Sequence, residues 1–156
     1  MGSSNNDVLT ATGSRGIQLL GLEGDDMLAG SFGDDVLIGG EGNDVLNARG
    51  GNDLIFGGQG DDTISAGSGN DFARGDTGND SINGDAGDDR LAGSEGDDQL
   101  FGGPGSDFLF GAAGDDGLFG GDDEDELRGG DGDDLLIGGL AVDLLFGGNG
   151  DDEETQ

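Results

Sequence analysis

The sequence predicts an all-β chain wound as a parallel β-solenoid, with two nine-residue repeats per coil and two sheets of short parallel strands. Three observations predict it. The phrase G-x-x-G-x-D-x-(Leu/Ile)-x recurs fifteen times in unbroken phase from Gly21 to Thr155. Each unit carries a single regular aliphatic side chain, too little to bury alone, so units must stack on one another. The composition is 39 Gly and 36 Asp plus Glu against five Arg and no Lys, so carboxylates and glycines, not hydrocarbon, dominate whatever holds the stack.

Within a unit, position six is Asp in all fifteen copies. Positions one and four are Gly in thirteen copies each; Ala48 and Ala66 depart at position one, Asp123 and Ala141 at position four. Gly at one and four is expected to supply left-handed or crowded backbone, which a Cβ would penalise. Position eight is Leu or Ile in thirteen copies, with Ala73 and Glu154 departing. One aliphatic between two variable residues fits a three-residue strand with its middle side chain inward. A unit holds one strand and one turn, so two units close a coil. Parallel coils about 4.8 Å apart give a column roughly 36 Å long, with a thin core of two facing Leu/Ile ladders. Positions two and three vary, and position five is mostly Asp or Asn.

Upstream of Gly21 the pattern decays. Residues 1–4 read as a tag-like or disordered N-terminus, and residues 5–20 as an irregular capping coil or, alternatively, a mobile tail. Asn6-Asp7-Val8-Leu9 and Ile17, Leu19 and Leu20 carry the two strand signals, with a one-residue slip between them. The repeat region is 21–155.

A formal net charge of −31 would ordinarily predict disorder, because like charges repel and few apolar groups offset backbone entropy. A multivalent cation is the missing component. Nucleic acid and anionic membranes, which need basic patches, are poor partners. There is no Cys and no His, so disulfides, thiolate metal sites and imidazole chemistry are absent. No apolar run reaches membrane-spanning length.

The repeat resembles the glycine- and aspartate-rich nonapeptide of the RTX (repeats-in-toxin) family, over residues 21–155. The resemblance implies a right-handed parallel β-roll, with positions one to six as the turn and seven to nine as the strand. It implies calcium between turns on successive coils. One turn gives the carbonyls of positions two and four plus its Asp; the turn two units on gives the carbonyls of one and three plus its Asp. Carried over, one site is Gly40, Gly42 and Asp44 with Gly57, Gln59 and Asp62. The implied metal aspartates are Asp26, Asp35, Asp44, Asp53, Asp62, Asp71, Asp80, Asp89, Asp98, Asp107, Asp116, Asp125, Asp134, Asp143 and Asp152. The implied backbone contributors include Gly24, Gly33, Gly60, Gly78, Gly87, Gly96, Gly105 and Gly114. Six oxygens suit calcium, a hard cation of flexible geometry. Pairing each unit with the next but one allows up to about thirteen Ca2+ sites. Thirteen ions bring about +26 and leave about −5, which relieves the repulsion of an unmetallated stack. The site pairing Asp125 with Asp143 is the one expected to be defective, because Ala141 is costly at a left-handed position.

The phase also sorts outward residues. Even units place Val36, Ile38, Leu54, Phe56, Phe72, Phe108, Phe110, Leu144 and Phe146 on one face; odd units place Asn47, Thr63, Ser65, Ser81, Asn83 and Gln99 on the other. Arg128 is expected between Phe110 and Phe146, and Arg74 beside Phe56, as cation–π contacts. The apolar face reads either as an interface for a protein partner or self-association, or as β-propensity on an exposed sheet.

Other readings fit less well. EF-hand loops need a bidentate Glu at position twelve and flanking helices. A glycosidase pair would have to be picked from dozens of carboxylates at structural spacing. No Lys exists for a phosphate-binding P-loop. Position three has no regular Thr row, which speaks against an ice-binding surface. The sequence therefore predicts no catalytic residues and no organic cofactor. It predicts a calcium-binding structural module that folds as it binds its ions, with a calcium-dependent adhesion protein as the alternative. The resemblance adds an expectation of secretion to the extracellular space by a type I route, as a module or fragment of a larger exported protein.

Overall fold

The computed structural model describes all residues, 1–156, and contains strands and turns but no helix. Seventeen strands form two sheets, one of nine and one of eight, and every pairing is parallel. Strands alternate between sheets along the chain, so each coil contributes one strand to each. The nine-stranded sheet runs from β1 (Val8–Thr10) to β17 (Glu153–Thr155). The eight-stranded sheet runs from β2 (Gln18–Glu23) to β16 (Leu144–Asn149).

In the repeat region each unit pairs with the next but one, as a two-unit coil demands: Leu46 lies beside Ile64 and Ile64 beside Ile82. Position eight points inward and forms the core, with Leu37, Ile55, Leu91, Leu109 and Leu127 on one side and Leu28, Leu46, Ile64, Leu100 and Leu118 on the other. Ala48 and Ala66 join this core from position one.

Most strands are longer than the three residues expected. Leu54–Gln59 and Thr63–Ser68 are six-residue strands, because pairing continues from positions seven to nine into one to three of the next unit. Their burial alternates as a half-buried strand requires.

The glycines of positions one and four have the expected crowded or left-handed backbone, and position two is left-handed as well: Gly40 has φ 129° and Gly42 φ 125°. Non-glycines at position two, such as Ala112 (φ 93°) and Asp76 (φ 82°), are held there too, as are Asp123 and Ala141 at position four. Position two therefore does not vary freely. Position one is Gly because the backbone there is crowded. A Cβ on Gly39 would collide with Oδ2 of Asp44 and the carbonyl oxygen of Gly57.

The nonapeptide phase reaches back to Gly2. Gly2 N–H donates to Leu20 O, β1 pairs with the strand Met27–Ala29, and Asp7 N–H donates to Oδ1 of Asp26. Residues 2–10 thus occupy one repeat and residues 11–20 hold the extra residue that causes the slip.

Two expectations about the outer faces need correction. Arg128 packs over Phe108 and Phe146, at 5.4 and 5.6 Å, not over Phe110; its guanidinium also binds Glu126, which draws it towards position seven. Arg74 does lie over Phe56, at 5.2 Å. The odd face is not uniformly polar, for Phe101 and Phe119 stack on it with centroids 4.9 Å apart.

Candidate metal centres

The turns form two rows, one on each edge of the column, and each row carries two ladders of side-chain oxygens. In the first, position-six N–H groups donate to Oδ1 of the Asp one coil further on. Asp44 binds Asp62 and Asp62 binds Asp80, at 2.7 and 2.8 Å; Asp35 to Asp53 and Asp53 to Asp71 do the same on the other row. The ladder is continuous to Asp134–Asp152 and Asp125–Asp143. These aspartates are buried from Asp26 to Asp143.

The second ladder was not legible as a function of position five. There the N–H of most residues donates to the side-chain oxygen one coil back, as in Asn43 to Asp25, Asp61 to Asn43 and Asn79 to Asp61, at 2.9–3.0 Å. Asp and Asn serve equally because both offer Oδ1 as acceptor. The mixture of the two residues in this column was the available signal.

Oδ1 of each position-six Asp is thus satisfied, and Oδ2 is not. Thirteen of these aspartates bury an Oδ2 with no hydrogen-bond partner, from Asp26 and Asp44 through Asp134 and Asp143. A buried, unpaired carboxylate oxygen is costly and requires an ion or a proton. Burial pushes the carboxyls of Asp62, Asp89 and Asp98 up to about 7, and those of Asp44, Asp53, Asp80, Asp107, Asp116 and Asp125 up to about 6. The backbone N–H bond opposes this rise, and neighbouring aspartates add to it.

Backbone oxygens face the same gaps. A Cβ on Gly58 would strike the carbonyl of Gly40, and one on Gly60 that of Gly42, so the oxygens of positions two and four point toward the next coil. The carbonyl of Gly57 points back toward Gly39, beside Oδ2 of Asp44. Gln59 O also points back, accepting from Gly42 N–H at 2.8 Å, which leaves one lone pair. No three acidic side chains converge on a point, so a metal here must draw on backbone carbonyls as well as carboxylates. The all-oxygen donor set suits a hard divalent ion such as calcium.

A family model for the RTX calcium-binding nonapeptide repeat, spanning four copies of the unit, matches eight overlapping stretches that together cover residues 20–153. The chain belongs to the RTX calcium-binding repeat family. No curated protein matches the chain. In RTX terms, Gly40, Gly42 and Asp44 would hold an ion with Gly57, Gln59 and Asp62, and the ion would supply positive charge between rows of carboxylates. The other expected RTX aspartates, from Asp26 to Asp143, stand in equivalent gaps, with one departure at Asp35. Asp125 keeps both its bond to Asp143 and a partnerless Oδ2, and Ala141 is held left-handed (φ 79°), but Asp123 N–H makes no bond to Leu140 O of the kind that Gly42 makes to Gln59.

Proposed function

We propose that the chain is a calcium-folded structural module, in which ions bound between coils replace the missing positive charge and folding and binding are one event. The thirteen buried, partnerless Oδ2 oxygens carry this reading. An apo column must protonate them or desolvate unpaired charge, and either is costly at neutral pH. No preformed site exists in the extended chain, so the free energy of binding is the free energy of folding. In low calcium the chain stays extended; in millimolar calcium, as outside cells, it folds. Secretion fits that dependence and the habits of the family, and the module serves as a part of a larger exported protein rather than as an enzyme.

Circular dichroism during a calcium titration tests this. The expected result is little strand signal in chelator at neutral pH and a cooperative rise with calcium. Magnesium alone is expected to fail, because it demands tight octahedral geometry and keeps its waters. Full strand signal in chelator at neutral pH would overturn the reading.

A second reading has its own observation. Phe110, Leu144 and Phe146 are exposed on the even sheet, with Leu140 and Val142 exposed in the adjoining turn. A groove of about 770 Å³ runs beside them; Phe72, Phe108, Val142 and Leu144 line it, but most of its wall is the acidic turn row, Asp53 and Asp125 included. A calcium-dependent adhesion or self-association surface would use this face. Sedimentation of the calcium-loaded chain decides: concentration-dependent association that Phe146→Ser with Leu144→Ser abolishes favours it, and a strict monomer removes self-association.

A further inference from the structure

The two turn rows begin alike, and neither begins with the geometry that the later repeats share. Fourteen repeats hold positions two and four both left-handed. The second repeat, Gly30–Ile38, does not: neither Ser31 nor Gly33 has positive φ. Instead Ser31 is fully buried, and its N–H donates to Oδ2 of Asp35 at 2.5 Å. Its hydroxyl donates to Oδ1 of Asp35 at 2.9 Å. Asp35 also receives the N–H of Ile17, so both its oxygens have protein donors. Among the buried position-six aspartates, Asp35 alone has no partnerless oxygen.

The same arrangement opens the other row. Ser3 N–H donates to Oδ2 of Asp7 at 2.5 Å and Ser3 Oγ at 2.9 Å. Ser3 precedes Asp7 by four residues, as Ser31 precedes Asp35, and neither Ser3 nor Asn5 is left-handed. Serine at position two is not sufficient by itself. Ser94 stands at that position in the ninth repeat with φ 99°, and Oδ2 of Asp98 remains without a partner. A third feature marks the same end. Where Ile17 replaces the position-six Asp, Nη1 of Arg49 donates to the carbonyls of Gly30 (2.8 Å) and Ala11 (3.3 Å). A guanidinium therefore satisfies oxygens in a gap that has one carboxylate fewer.

We infer that Ser3 and Ser31 are built-in caps that end the two ion columns: each satisfies its Asp with N–H and O–H donors where calcium would do so elsewhere, so the gaps from Asp7 to Asp26 and from Asp35 to Asp53 take no ion. The physical reason is twofold. A carboxylate bonded by an N–H and a hydroxyl is already stabilised, and charge-assisted bonds of this kind are among the strongest in proteins. Without left-handed residues at two and four, the position-four carbonyl is rotated: a Cβ on Gly24 or Gly51 would meet the carbonyl carbon of Asn5 or Gly33 first, where one on Gly42 or Gly60 meets the oxygen of the coil before. The inference rests on the calcium reading above and lowers its ion count. Seven gaps remain on the odd row and five on the even row, twelve in all.

Native mass spectrometry of the full chain at saturating calcium counts the ions. The wild type is expected to hold twelve. Ser31→Gly restores the repeat's commonest residue at position two and is expected to hold one more; Ser3→Gly with Ser31→Gly is expected to hold two more. Ser94→Gly makes the same chemical change in an ordinary turn and is expected to leave the count at the wild-type value. A wild-type count of thirteen or more overturns the pair of caps, and a Ser31→Gly count equal to wild type overturns the cap on the even row. A double variant that gains only one ion overturns the cap at Ser3. A chain and variants that bind no calcium overturn the calcium reading itself, a separate result.

Discussion

The N–H of Asp44 donates to Oδ1 of Asp62 at 2.7 Å, while Oδ2 of Asp62 is buried with no partner. One carboxylate thus joins two coils through one oxygen and leaves the other for a ligand. Asp62→Asn separates these roles. The amide keeps an acceptor for Asp44 but has no charge for an ion. With calcium the variant is expected to lose about 1–3 kcal/mol, the scale of a bond to a charged group. Without calcium the sign reverses, because a neutral amide has no charge to desolvate. Urea unfolding with and without calcium checks both signs; destabilisation in both conditions contradicts the assignment.

Acid is expected to substitute in part for calcium. The carboxyls of Asp62, Asp89 and Asp98 stand near 7 in the metal-free coil against an ordinary value of 3.8. A raised value in the fold means that protonation favours the fold. That stabilisation is full below about 4 and is lost as pH rises through about 6 to 7. The metal-free chain should therefore gain strand signal on acidification from pH 8 to 4. The calcium-loaded chain should move the other way, its calcium midpoint rising as pH falls below about 7. Circular dichroism over a pH series reads both, and a metal-free chain with no strand at pH 4 contradicts the prediction.

Ala112 sits at position two with φ 93°. A left-handed residue other than Gly costs about 1–2 kcal/mol, offset by about 0.4–1 kcal/mol because Gly frees the unfolded chain. Ala112→Gly is expected to stabilise the calcium-loaded fold by about 0.5–1 kcal/mol in the same urea assay. A destabilised variant would show that the Ala112 methyl has a packing role.

The position-five ladder weakens at Ser106. Asp88 Oδ1 accepts from Ser106 N–H at 3.1 Å, but the shorter Ser106 side chain makes no such bond to Glu124 N–H. Ser106→Asn supplies the missing acceptor. It is expected to add about 0.5–1.5 kcal/mol, the net value of one hydrogen bond. An unchanged urea midpoint would mean that the ladder bond contributes nothing measurable at that coil.

Much of the coil was legible because its period is strict. Asp at every position six, with Leu or Ile at position eight, sets a coil of two units and an inward row such as Leu46, Ile64 and Ile82. The repeat cannot bury its one aliphatic except by stacking, so the register follows from the spacing. The left-handed character of position four was legible from Gly42, Gly60 and their equivalents. That of position two was hidden, because Leu22, Arg49 and Asp76 occupy it under positive φ. The coil imposes that backbone on them, and the surrounding pairing offsets their strain.

The sequence by itself determined the parallel two-strand coil, the family, and the column of aspartates, since each depends only on residue type recurring at a fixed interval. Tertiary structure alone decided how each oxygen is used. Oδ1 of Asp62 is claimed by Asp44 and Oδ2 is left over; both oxygens of Asp35 are claimed by Ser31 and Ile17. Both residues are the same Asp at the same position of the repeat. Their difference arises from backbone dihedrals in the turn before them and from the coil on either side, and a hydrogen bond from one coil to the next exists only once the coils are stacked.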